Sequence, residues 1–324
     1  MPVRISSVEG INTVIIENDC ISAVFIPSIG SKMIQLVNKE TGTQFLLEPQ
    51  EDDKKYSVPS YGEEFSDKYA YGFDDCFPTV SSTIKDINVR GGGFPDHGEL
   101  WSLPWDYWIN DKKIVFKISG VIAQYSIVKV VSLDGNRLII NYSLQNLSNE
   151  KVDYLWSAHP LLKVASGDQI ILPKESKELI PNISPDDKTC KLKEILTWPF
   201  IDKNEKKIDY SKVPDVTFGQ AIKCFTGRLK SGYAGLHRVN CDETILFSFN
   251  TDELKYLGLW LCYGGWPEDS PNKHLTVALE PTSGRPDSLV EAVKRNEAEC
   301  ISPLETKNWN LEISLWKGIP DKLL

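Results

Sequence analysis

Apolar and polar residues alternate with a period of two, in short runs rich in β-branched and aromatic side chains, along nearly the whole chain. Successive side chains of an extended strand point to opposite faces, so each run can lay one face on a core and turn the other away. Near the N-terminus, Thr13 to Glu17, Ile21 to Ile26 and Lys32 to Val37 are strand candidates separated by Asn-Asp and Pro-Ser-Ile-Gly turns, the pattern of an antiparallel meander. The strongest hairpin signal is Asp134-Gly135, between Tyr125 to Leu133 and Arg137 to Asn146, because Asp-Gly suits the positive φ of a tight turn. Further candidates are Val152 to Ser157, Gln169 to Leu172, Gly235 to Val239, Thr244 to Phe249, Tyr256 to Leu261, Leu275 to Leu279 and Trp309 to Trp316.

So many strands exceed one small barrel and predict an all-β chain, a large antiparallel β-sandwich of two stacked sheets with few short helices. One helix is expected, over Leu289 to Glu299, where Ser288 and Glu291 have capping-box spacing. The stretches Glu51 to Ser66 and Pro181 to Ser211 are polar and weakly periodic, and read as long excursions able to serve as lids or binding loops. With no repeat, low-complexity tract or linker, residues 1–324 are expected to form a single domain.

The net charge of −9, with Lys and Arg scattered, repels polyanions and speaks against nucleic acid and anionic membranes as partners. A neutral small molecule fits better, and no glycine-rich nucleotide cradle is present. Seven cysteines in an irregular set, with no signal-peptide pattern and no apolar run long enough to span a bilayer, point to reduced thiols and a cytoplasmic protein. On that reading the sequons at Asn141, Asn146 and Asn182 are chance matches.

Four histidines occur, and two stand beside glycine or proline at expected strand ends: His97 in FPDHGELW and His159 in LWSAHPLL. His237 and His274 sit in contexts that look like ordinary strand or turn surface. Glu280 closes the apolar run TVAL, where desolvation would raise a carboxyl toward neutrality and suit it as a general base. Histidine titrates near neutrality and suits the partner acid. Taken alone, each residue reads first as structural, Glu280 as a turn residue and His159 as a satisfied core histidine. A metal set of Asp96, His97 and Glu99 with His159 is conceivable, but HExxH and the P-C-x-x-C of zinc deaminases are missing, and no metal or cofactor is expected. Asp74 and Asp75, beside Cys76, are candidates for sugar-hydroxyl binding; the thiol reads as structural because both carboxylates would raise its pKa. Trp101 and Trp260, amid Trp105, Trp108, Tyr263 and Trp266, are candidates for stacking on a pyranose.

In order, GFDDCFP, FPDHGELW, SAHP and ALEPTSG make the chain resemble the aldose 1-epimerase, or galactose mutarotase-like, family from about residue 10 to residue 317. The resemblance implies a supersandwich whose concave face holds an aldose, and a cofactor-free isomerase of carbohydrate metabolism. By the same resemblance His159 protonates the ring oxygen, Glu280 takes the C1 hydroxyl proton and His97 assists by hydrogen bonding. The chain departs from the family in two places. Asp74-Asp75 stands where those enzymes carry Asn-Arg, and their aspartate between the two late motifs has only Asp215 as a candidate. Loss of the arginine argues for an unphosphorylated sugar. Two alternatives stay open: a non-catalytic carbohydrate-binding protein, and a glycosidase pairing Glu280 with Asp74 or Asp75.

Overall fold

The computed structural model describes residues 3–50, 56–83, 93–183, 195–203 and 206–323. At the expected hairpin, Tyr125–Asp134 pairs with Arg137–Asn146 from Tyr125↔Asn146 to Asp134↔Arg137, leaving Gly135 and Asn136 as the two-residue loop, with Gly135 at φ 57°. Leu138, Ile140, Tyr142 and Leu144 all fall on the buried face of its second arm. Covering an aliphatic side chain of this kind contributes about 1.5–3 kcal/mol. Outward from the hairpin an eight-stranded antiparallel sheet extends through Lys113–Ser119 to Asp106–Asn110 on one side. On the other it passes through Thr306–Lys317, Glu243–Phe249 and Tyr233–Arg238 to Gln169–Ile171.

A second, eleven-stranded antiparallel sheet packs against the first. It opens with the meander Val3–Val8, Ile11–Glu17, Ile21–Ile26 and Lys32–Asn38. Its centre runs Phe73–Cys76, Ser157–Lys163, Leu275–Thr282, Tyr256–Tyr263 and Gln220–Thr226, and it closes with Glu178–Ile183 and Leu196–Thr197. One core fills the space between the sheets, with Phe25 of the large sheet against Phe116 of the small one at a ring separation of 5.5 Å.

Three expectations change in detail. Val152 to Ser157 is not one strand: Val152–Tyr154 pairs with Glu299–Ile301 in a two-stranded ribbon, while Ser157 opens Ser157–Lys163 in the large sheet. The capped helix is confined to Leu289–Lys294, with Ser288 accepting from the Glu291 amide as expected. It stops because Asn296 takes a left-handed φ of 55°, the usual conformation just past a helix end. The second excursion contains strands, ending Glu178–Ile183 and forming the hairpin of Phe200–Lys203 with Lys206–Asp209, while 184–194 and 51–55 lie outside the described residues. Among the described residues no helix is long and apolar enough to cross a membrane. Asn146 is fully buried and donates to the carbonyls of Glu150, Ile301 and Ser302, which leaves its sequon closed in the folded chain.

Candidate active site

The face of the large sheet turned away from the core is covered over its central strands by the loop carrying Phe65 and the turn carrying His97, and a cavity of about 240 Å³ lies beneath them. His159 rises into it from Ser157–Lys163 rather than from a strand end. Its antiparallel partner across the sheet is Asp74, so the two side chains share that face. Glu280 likewise sits inside its strand, Leu275–Thr282, and is fully buried. Its partner on the next strand is Gly258, where an added Cβ would come within 2.9 Å of Glu280 Oε2. That missing side chain lets Lys223, one strand further on, reach across and donate to Oε2. The Lys223 ammonium also lies 3.6 Å from Asp287 Oδ1, and Asn182 donates to the other Asp287 oxygen at 2.7 Å.

His159 Nε2 stands 3.9 Å from Glu280 Oε1, an oxygen with no hydrogen-bond partner. His159 and Lys223 line the cavity, and Glu280 lies directly behind them. His97 completes the group, its ring 5.3 Å from that of His159 and stacked on Phe65 at 4.2 Å. His97 takes a left-handed φ of 56° and precedes Gly98, whose backbone runs so close to Phe77 that a Cβ would fall 2.0 Å from the Phe77 carbonyl oxygen. Asp96 fixes the His97 ring through a 3.0 Å contact to Nδ1 and accepts from the Phe65 amide, so one carboxylate holds both the histidine and the loop that covers it. Trp260 and Trp266, edge to face at 6.4 Å, form an apolar corner of the same cavity.

The electrostatics follow from burial. Desolvation, reinforced by His97, Lys223 and Lys32, pushes His159 well below the ordinary histidine value, so its ring is neutral at pH 7 and not a ready imidazolium as expected. Burial raises Glu280, and Lys223 opposes that rise without cancelling it. Burial would also depress Lys223, but the Asp287 and Glu280 carboxylates outweigh it and hold the ammonium charged. Burial disfavours ionised Asp96 as well, yet the bonds from His97 and the Phe65 amide keep its carboxyl below the usual range.

His97, His159, Glu280 and Trp260 thus come together. Three other sequence candidates are placed differently. Trp101 is buried behind Phe65, its indole N–H donating to the Asp96 carbonyl at 2.9 Å, so it props the His97 turn and does not line the cavity. Asp75 points to the opposite face from Asp74, between the sheets, where Lys129 and the Tyr142 hydroxyl each donate to it at 2.8 Å. Asp74 shares the face of His159 but is fully enclosed, paired with Lys32 at 2.8 Å, and does not line the cavity. Asp215 caps a short turn by accepting from the Thr217 amide, and Lys223 is the charged residue between His159 and Glu280 that reaches the cavity. Glu99 is turned away to accept from Tyr61 and the amides of Val121 and Ile122, and among the described residues no three His, Cys, Asp or Glu side chains converge as metal ligands. His237 and His274 are buried rather than superficial. Lys223, Asp287 and Phe65 were not singled out from sequence. The one available signal was a lysine in the middle of the otherwise apolar run AIKCF.

No protein-family model matches the chain, and among curated proteins no relative is found. Solved structures do match over almost the full length. A protein from Synechocystis sp. PCC 6803 superimposes with a TM-score of 0.69 at 16% identity, covering 94% of this chain and 96% of its own. A galactose mutarotase-like protein from Lactobacillus casei gives 0.68 at 15%, covering 94% and 100%. A galactose mutarotase related enzyme from Lactobacillus acidophilus gives 0.64 at 14%, covering 95% and 98%. At such identities the likeness establishes the fold: the chain is an all-β sandwich of the galactose mutarotase-like type.

Proposed function

We propose that this chain is an isomerase of the aldose 1-epimerase type, acting on an unphosphorylated aldose with His159 as acid, Glu280 as base and His97 assisting. The observation that carries the reading is the 3.9 Å approach of His159 Nε2 to the unpartnered Glu280 Oε1 at the back of an aromatic-walled cavity. The ring oxygen and the C1 hydroxyl of a cyclic aldose are bonded to one carbon, so the group that gives a proton and the group that takes one must lie this close together. Glu280 accepts the C1 hydroxyl proton through Oε1, reached as the substrate parts His159 from Lys223. His159 gives its Nε2 proton to the ring oxygen as the C1–O bond breaks. Rotation about C1–C2 and reclosure return both protons and exchange the anomers.

A neutral His159 is compatible with this role, because a neutral imidazole can act as the electrophile where its surroundings suppress the imidazolium. The cations Lys223 and Lys32 that disfavour a positive ring also favour one that has given up its proton. An unphosphorylated sugar is favoured because no arginine is among the described residues lining the cavity, and Lys223 is already committed to two carboxylates.

Polarimetry of freshly dissolved α-glucose, α-galactose and a wider aldose panel tests the proposal, with the spontaneous rate subtracted. The wild-type chain is expected to accelerate at least one sugar, and Glu280→Gln or His159→Asn to lower that rate by ~10²–10⁴. The double variant should be little slower than either single one, since residues that act as a unit are not additive. No acceleration of any aldose would favour a carbohydrate-binding protein, and an active chain indifferent to both substitutions would overturn the assignment of acid and base.

A further inference from the structure

The five groups that face Glu280 come from five separate elements. They are Lys223 from Gln220–Thr226, Asp287 from the turn before the helix, His159 from Ser157–Lys163, His97 from its loop and Cys76 from Phe73–Cys76. Burial holds the Cys76 thiol far above its ordinary value, so it stays neutral, and Lys223 is the cation in direct contact with the carboxylate. Lys223 reaches Glu280 across an intervening strand, over the gap at Gly258, and Asp287 steadies it from the other side while being held by Asn182.

From this arrangement we infer that Lys223 is the positioning residue of the site: it ties Glu280 by Oε2 and so leaves Oε1 as the single oxygen turned to His159 and to substrate. The inference rests on the reading of Glu280 as base. Its physical content is an asymmetry between two otherwise equivalent oxygens. A carboxylate held at one oxygen cannot rotate to present either at random, and the free oxygen keeps its lone pair for the reacting proton. The same contact favours the ionised form of a buried carboxylate, because a neighbouring cation offsets part of the loss of hydration. Glu280 without Lys223 would lie enclosed near Asp287 and Cys76 with no ammonium against it, and would hold a proton more tightly.

The test replaces Lys223 with methionine and, separately, with glutamine, which retains a donor, and records the pH dependence of kcat/KM alongside a ¹³C NMR titration of the Glu280 carboxyl, assigned by its absence in Glu280→Gln. The acidic limb of the activity profile and the Glu280 titration are both expected to move up by ~1–3 pH units in Lys223→Met, the range for removing an adjacent opposite charge. In Lys223→Ala, added n-propylammonium should restore part of the lost rate. A Glu280 titration that stays in place in a folded Lys223→Met or Lys223→Gln variant would overturn the inference. The NMR shift is read without turnover. An inactive wild-type chain whose Glu280 still shifts would therefore defeat the proposed function and leave the Lys223–Glu280 coupling standing, whereas an active chain with an unmoved titration would do the reverse.

Discussion

Asp74 and Asp75 are neighbours in one short strand, and they belong to two polar regions of opposite character. Asp75 faces the space between the sheets, where each of its oxygens accepts a 2.8 Å bond and its partner Lys129 also donates to Ser31. Asp74 faces the region of His159, Glu280, Lys223 and Asp287, where Asp74 Oδ1, His159 Nδ1, Glu280 Oε1 and Asp287 Oδ1 are buried without a hydrogen-bond partner. A satisfied buried network rigidifies and specifies a core, whereas unsatisfied buried groups cost free energy and persist where function requires them. Hydrogen-bond satisfaction, more than burial or charge, separates the two carboxylates: both oxygens of Asp75 accept a bond, and Oδ1 of Asp74 accepts none.

The largest expected effects come from exchanging the two regions' roles by substitution. Glu280→Gln should cost less unfolding free energy than loss of Asp75, because Asp287 stays beside Lys223 and the amide oxygen can still accept from it, while lowering the catalysed anomer exchange by ~10²–10⁴. Asp75→Ala should do the reverse, leaving Lys129 buried without its partner and costing about 3–5 kcal/mol in urea unfolding. If Asp75→Ala lost activity with no loss of stability, the division between the regions would fail.

A smaller effect is expected at the aromatic corner. Trp260→Ala should weaken aldose binding by about 1 kcal/mol, the scale of a lost aromatic contact, as read by isothermal titration. Unchanged affinity would return that ring to the core, where Trp101 already belongs.

The smallest effect concerns protonation. Because the folded-state value of His159 is depressed, its ring should remain neutral at pH 6.5, where an unperturbed histidine is about half charged. The sign for stability follows: the contribution of His159 is fully present above the unfolded value of about 6.5 and is lost as pH falls below it, since the unfolded chain binds the proton first. Long-range ¹H–¹⁵N NMR of the ring checks this, and an imidazolium signal at pH 6.5 would contradict it.

Much of the fold was legible because alternation is a local property. Leu138, Ile140, Tyr142 and Leu144 share a face for reasons written in their spacing, and Gly135 marks the hairpin through its own φ. The site was legible only in part. His97, His159 and Glu280 stood out because histidines are scarce and a carboxylate at the end of an apolar run is unusual. Lys223 did not, since its function depends on a glycine in the adjacent strand and on a glutamate in the strand beyond it. Period-two alternation required Asp74 and Asp75 to face opposite ways, but which of them faced the core depended on Lys129 and Tyr142 from the other sheet. Phe65 lies in a stretch without periodicity, and its place over the histidines is set by the Asp96 carboxylate.

The most direct test of the central claim is a crystal structure of the Glu280→Gln variant with an aldose bound. The account predicts the sugar in the cavity beneath Phe65, against Trp260, with its ring oxygen within about 3.2 Å of His159 Nε2 and its C1 hydroxyl at the same range from residue 280. A sugar bound with its anomeric carbon turned away from both side chains, or bound only outside this cavity, would contradict it.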